Sequence, residues 1–179
     1  WKVMKNKIIM DTNVAAKAAT RVAECKDEEL NVQRKCMKFL KDFVDSPESR
    51  LVLDADYEII REYRNRITMK TDVGKIFWRW FNTYMRRISF EDYLKLDKDT
   101  EGNFLMFPSE ERTREFDLND RKFIALSRTH LAHPPIVEAT DGKWLGFEDV
   151  FEEYGVHIEF LDRDYAKMMY DRKVLNKGK

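Results

Sequence analysis

Lys7-Ile8-Ile9-Met10-Asp11-Thr12-Asn13 is the stretch on which the fold turns. A brief apolar run ends on an acid and passes into a helical stretch, which reads as a short buried strand with a carboxylate at its C-terminal end. Outward from there, short apolar runs alternate with helical periodicity. In residues 30–44, Val32, Cys36, Phe39/Leu40 and Phe43 recur at helical spacing, and Ser46-Pro47 stops the helix because proline disfavours helical geometry in the residue before it. Residues 50–53 form a second strand candidate, and Asp54 and Asp56 are ready caps for a helix from Tyr57 to about Arg66.

Residues 73–88 predict another helix, with Phe77, Trp80/Phe81, Tyr84 and Ile88 as its buried stripe. Residues 89–116 give no clear element beyond a turn at 97–103 (Asp-Lys-Asp-Thr-Glu-Gly-Asn). A helix over 119–131 stops at Pro134-Pro135, a third strand covers 136–139, a short helix 147–154, a fourth strand 156–161 and a last helix 165–175. The order β-α-β-α-α-α-β-α-β predicts a three-layer α/β/α sandwich on a central, mostly parallel sheet. The expected organisation is one domain over 1–179, with a helical insertion at about 67–116 and a charged C-terminal tail at about 162–179.

Composition fits this class. The 179 residues are 43% hydrophobic and 37% charged, with six glycines and four prolines, which excludes collagen-like and low-complexity chains. Thirty-three Lys+Arg balance 33 Asp+Glu, so no overall field points to a nucleic acid or membrane. Cys25 and Cys36 form no C-x-x-C pair and read as reduced thiols. The basic N-terminus is followed by no long apolar segment, so the expectation is a cytoplasmic protein without a membrane partner. G-x-x-x-x-G-K-[ST], G-x-G-x-x-G and G-x-S-x-G are absent, which leaves P-loop hydrolases and elbow-type esterases without support.

Acids cluster where strands end. Asp11 follows the first strand and Asp141 the third; Glu58 and Glu62 share a helix face one turn apart; Asp117 and Asp120 open the helix that feeds the third strand. In a parallel sheet these positions gather at one rim, the usual place for a ligand. Separately, each acid has a plain structural use: helix capping for Asp11, Asp117 and Asp120, an ion pair with Arg66 for Glu62, a turn for Asp141. Together they would repel one another, and a hard divalent cation, Mg²⁺ or Mn²⁺, resolves the conflict. His130 and His133 have a spacing that zinc can use, but their place before Pro134 suits the end of a helix better.

M-D-T-N-V at the first strand end, E-I-I-R-E-Y, F-D-L-N-D-R-K-F-I-A-L-S, A-T-D-G-K-W and the closing G-V-H-I-E-F-L, taken in order, resemble a PIN-domain nuclease. The resemblance spans roughly residues 7–161, with 67–116 outside its pattern. It implies strand order 3-2-1-4-5 and metal-dependent hydrolysis of RNA phosphodiesters. It implies Asp11, Glu62, Asp120 and Asp141 as the catalytic acids and metal ligands, and Asn13 and Thr140 as small polar helpers. Glu58 competes with Glu62, although the E-Y context favours Glu62. Lys143 stands where many relatives carry a further acid.

Residues 56–90 carry eight Lys/Arg against four Asp/Glu, net +4, whereas 138–164 carry nine acids against two bases, net −7. Arg61, Arg64, Arg66, Arg79, Arg86 and Arg87 are therefore candidates for RNA phosphate contact, along with Lys70 and Lys75, and Trp78 for stacking on a base. The expected activity is endoribonucleolytic, in a toxin, a defence nuclease or an RNA-processing factor. An antitoxin or other protein partner and a homodimer stay open. The alternatives are a catalytically inactive PIN-like module that binds RNA or protein, and a structure-specific DNA nuclease.

Overall fold

The computed structural model describes residues 7–177. In chain order the elements are β1 (Lys7–Met10), α1 (Thr12–Ala19), α2 (Leu30–Asp45), β2 (Arg50–Leu51), β3 (Leu53–Asp54), α3 (Glu58–Arg66), α4 (Asp72–Met85), β4 (Tyr93–Leu94), α5 (Arg121–Thr129), β5 (Ile136–Glu138), α6 (Glu148–Glu153), β6 (Ile158–Phe160) and α7 (Arg163–Lys177). The α/β class is as expected, with a parallel four-stranded sheet in the order β2-β1-β5-β6. Ile8, Ile9 and Met10 of β1 are buried, as are Ile136 and Val137 of β5, because helices cover both faces of a parallel sheet.

The second strand departs from the expectation. Residues 50–53 read as one strand, but β2 and β3 pair with different partners. Lys7 and Ile8 register with Arg50 and Leu51, while Leu53 and Asp54 register with Tyr93 and Leu94. Between them, the Val52 N–H still donates to the Ile8 carbonyl at 2.9 Å. The reason for the break is Tyr84. Its hydroxyl donates to the Leu51 carbonyl (2.8 Å) and accepts from the Leu51 N–H (3.1 Å), occupying the strand edge that faces away from β1. Pairing with β4 therefore begins two residues later. The strand β4 lies in the stretch that gave no clear element; at two residues it is too short for any periodicity to register.

Helix α4 carries the aromatic part of its expected stripe but ends at Met85, so Ile88, the last expected member, lies beyond it. Phe77, Phe81 and Tyr84 are buried, and Trp80 lies stacked on Tyr84 with centroids 5.0 Å apart. Helix α3 starts on Asp54, whose carboxylate accepts from the backbone N–H of Glu58 (2.7 Å) and Ile59 (2.9 Å), while Tyr57 makes the left-handed turn between them. The charged tail forms α7, docked on the loop after Asp141 through glycines. A Cβ on Gly142 would stand 2.4 Å from the Ala166 carbonyl, and one on Gly146 2.9 Å from the Tyr170 ring. Helix α1 is shorter than the stretch suggested and gives way to two single-turn 3-10 segments before α2. The basic N-terminal residues 1–6 lie outside the described residues, and no described helix is long and apolar enough to cross a membrane.

Replacing Tyr84 by Phe removes the hydroxyl that satisfies the outer edge of Leu51. Urea unfolding of Tyr84→Phe should show a loss of roughly 1–3 kcal/mol, the cost of stranding buried backbone groups. A loss below a few tenths of a kcal/mol would mean that water replaces the hydroxyl.

Candidate functional site

Asp11 comes directly off β1 and caps α1, its Oδ1 accepting from the Asn13 N–H at 2.8 Å. Asp120 immediately precedes α5, Thr140 and Asp141 follow β5, and Glu62 faces them from α3. All six residues expected at the site, Asp11, Asn13, Glu62, Asp120, Thr140 and Asp141, line one cleft of about 580 Å³. Glu58, Arg61, Asn65, Arg66, Asp117, Asn119, Lys122 and Lys173 complete its wall.

Glu138, at the end of β5, was not foreseen, and it organises the rim. It is 0% exposed. Its Oε1 accepts from the Asn13 side-chain amide (2.7 Å) and from three successive backbone N–H groups, Ala139 (2.8 Å), Thr140 (2.9 Å) and Asp141 (2.8 Å). Its other oxygen is buried with no hydrogen-bond partner among the described residues, as is the Thr12 hydroxyl. The available signal was an acid in the otherwise apolar run Ile136-Val137-Glu138-Ala139. A central parallel strand buries both faces, so a carboxylate there needs a compensating role.

The electrostatics follow from crowding. Asp11, 4% exposed, has its carboxyl held well above the usual carboxylate range, first by burial and then by Glu138, Asp120 and Glu62. Glu138 is also pushed up by burial, against the pull of its backbone and Asn13 hydrogen bonds. Asp120 is raised to about 6 by burial and by Asp117, Asp141 and Glu62, with Lys122 opposing. Of the two candidate glutamates, Glu62 is the one near enough to act on both Asp11 and Asp120; Glu58 is paired with Lys98. Nearby, the Tyr63 hydroxyl donates to the Met10 carbonyl at 2.6 Å, which joins α3 to the end of β1.

Cations stand on two of the acids. Lys122, 5% exposed, lies 2.8 Å from Glu62, and Arg66 is 3.5 Å from the same carboxylate. Lys173 of α7 lies 2.6 Å from Asp141. In this arrangement no three His, Cys, Asp or Glu side chains among the described residues are spaced to share one ion. By type alone the donors that line the cleft, six carboxylates, are the oxygen ligands that hard divalent cations take.

The residues considered for RNA contact divide. Arg61 and Arg66 border the cleft; Arg64, Arg79, Arg86 and Arg87 are exposed outside its wall. Trp78 is half-buried, its ring against Phe77 and Phe81 and its indole N–H on the Ile67 carbonyl at 3.1 Å. His130 is buried between Asp92 (3.3 Å) and the Ala132 N–H (3.0 Å), and His133 takes the positive-φ turn that follows. Cys25 and Cys36 are free, and burial pushes the Cys36 thiol up to about 12.

The chain matches no family model, no curated protein and no solved structure.

Asp120 gives the site a pH signature. Its acidity is weaker folded (about 6) than unfolded (near 3.8), so the native state binds the extra proton between these values and loses stability as pH rises through them. The full cost is present above about pH 6 and absent below about pH 4. Asp120→Asn should therefore be more stable than the native chain by roughly 1–2 kcal/mol at pH 7.5, allowing for partial exposure, and no different near pH 4. Chemical denaturation at the two pH values measures it; equal stability at pH 7.5 would show that Lys122 neutralises the repulsion.

Proposed function

We propose that this chain is a metal-dependent endoribonuclease of PIN type. The observation that carries the reading is convergence: four acids from four separate segments, Asp11, Glu62, Asp120 and Asp141, line one cleft beyond the ends of β1 and β5, together with Asn13 and Thr140, which the resemblance implied. On this reading residues 50–54 are a single strand bent at Val52, and β4 is its outer neighbour. The full sheet then runs β4, β3/β2, β1, β5, β6, which is the order 3-2-1-4-5 of the resemblance.

Asp11, Asp141 and Asp120, with Glu62, would hold Mg²⁺ or Mn²⁺. Such an ion supplies an acidified water for in-line attack and offsets charge on the leaving oxygen. The protein contributes position. Glu138 holds Asn13 and the Ala139–Thr140–Asp141 backbone as one rigid unit, so Asp11 and Asp141 keep a fixed separation. Arg61 and Arg66, which line the cleft, would take phosphates flanking the scissile one, and binding would then be salt-dependent. Substrate would be RNA, and the biological setting a toxin, a defence nuclease or a processing factor in the cytoplasm.

A second reading has its own support. Because lysines already pair with Glu62 and Asp141, the cleft is also consistent with an inert PIN-like module that binds RNA or protein. Cleavage of a mixed-sequence RNA in Mn²⁺ separates them. The native chain should cut, and Asp11→Asn and Asp141→Asn should each lower the rate by at least ~100-fold while retaining the native circular dichroism spectrum. Persistent cleavage by the purified double variant sinks the nuclease reading; faster cutting of a matched DNA would move it to a DNA nuclease.

A further inference from the structure

Six carboxylates and four basic groups border the cleft, formally −2, so one divalent cation balances it. Two of the bases are lysines on site acids, and they differ. The Lys122 ammonium is buried, also meets the Asn119 carbonyl, and lies over the Phe123 ring at 4.6 Å. It is committed to the local structure. Among the described residues the Lys173 ammonium bonds Asp141 Oδ1, and its side chain is partly open to the cleft.

The segment that carries Lys173 is anchored on both sides. Gly142 and Gly146 let α7 lie directly on the loop after Asp141, with no room for a Cβ at Gly142. The adjacent Arg172 makes a two-pronged pair with Glu28, both contacts at 2.7 Å. A long flexible lysine is thereby carried over Asp141 by a docked backbone, although the helix as a whole has little amphipathic pattern of its own.

We propose that Lys173 is a substrate-holding residue of this cleft: it stands in the divalent cation's place on Asp141 and, when the ion takes that carboxylate, transfers its ammonium to a non-bridging oxygen of the bound phosphodiester. The inference rests on the nuclease reading above. No bond is made or broken; an ammonium exchanges one anionic oxygen for another, and the cleft stays near neutrality with ion and phosphate both present.

Lys173→Gln and Lys173→Arg test it, read by Mn²⁺ calorimetry and by steady-state cleavage of a short RNA. Removing the competing ammonium should tighten Mn²⁺ binding roughly three- to tenfold in Lys173→Gln. The same variant should raise KM for RNA by about tenfold with a smaller change in kcat, and Lys173→Arg should restore KM. A merely structural lysine would move neither the Mn²⁺ affinity upward nor KM selectively. If the native chain binds Mn²⁺ and cleaves, and Lys173→Gln matches it in both affinity and KM, the role assigned to Lys173 is wrong and the nuclease reading stands. If the native chain neither binds Mn²⁺ at millimolar concentration nor cleaves, both fall.

Discussion

One buried carboxylate oxygen gathers the rim of this protein. Glu138 accepts four hydrogen bonds at a single atom, three from consecutive backbone N–H groups and one from Asn13. This holds the chain after β5 in a tight turn around the carboxylate, and Asp141 stands at the end of that turn in the same cleft as Asp11. The opposite side chain, Asn13, is tied to the start of α1, which Asp11 caps. The ends of the two central strands are thus joined through side chains as well as through the sheet. Burying an acid without a countercharge is costly unless its hydrogen bonds are made, and here they are made on one oxygen while the other has no hydrogen-bond partner among the described residues.

That arrangement sets the energetic character of the site. Asp11, Asp120 and Glu138 all bind protons more tightly than ordinary carboxylates because burial and mutual repulsion penalise their charged forms. Lys122 and Lys173 offset part of that repulsion by pairing with Glu62 and Asp141. On the reading proposed above, a divalent cation would relieve the rest.

Much of this was legible in the sequence. The strand at Lys7–Met10 announced itself by an apolar run ending on Asp11, and the parallel topology followed from helices alternating with short strands. Topology then sufficed to bring Asp11, Glu62, Asp120 and Asp141 into one cleft, because a parallel sheet puts all its C-terminal ends on one side. What stayed hidden depends on contacts between distant residues. The split between β2 and β3 is set by the hydroxyl of Tyr84, 33 positions beyond Leu51. The strand β4 is stabilised by its partner and not by its own pattern. Lys173 reaches the cleft only because Gly142 and Gly146 let α7 settle there, a tertiary fit that leaves no periodic trace. Glu138 was within reach: an acid inside an apolar strand is a conflict between local pattern and charge, and such conflicts mark functional places.

The central claim is that these carboxylates form one cation-holding pocket. Crystals soaked in MnCl₂ and measured at the manganese absorption edge address it directly. The account predicts a single strong anomalous peak in the cleft, bonded to Asp11 and Asp141, with the Lys173 ammonium moved off Asp141. A cleft without a peak, with both lysines still on their carboxylates at saturating manganese, would contradict it.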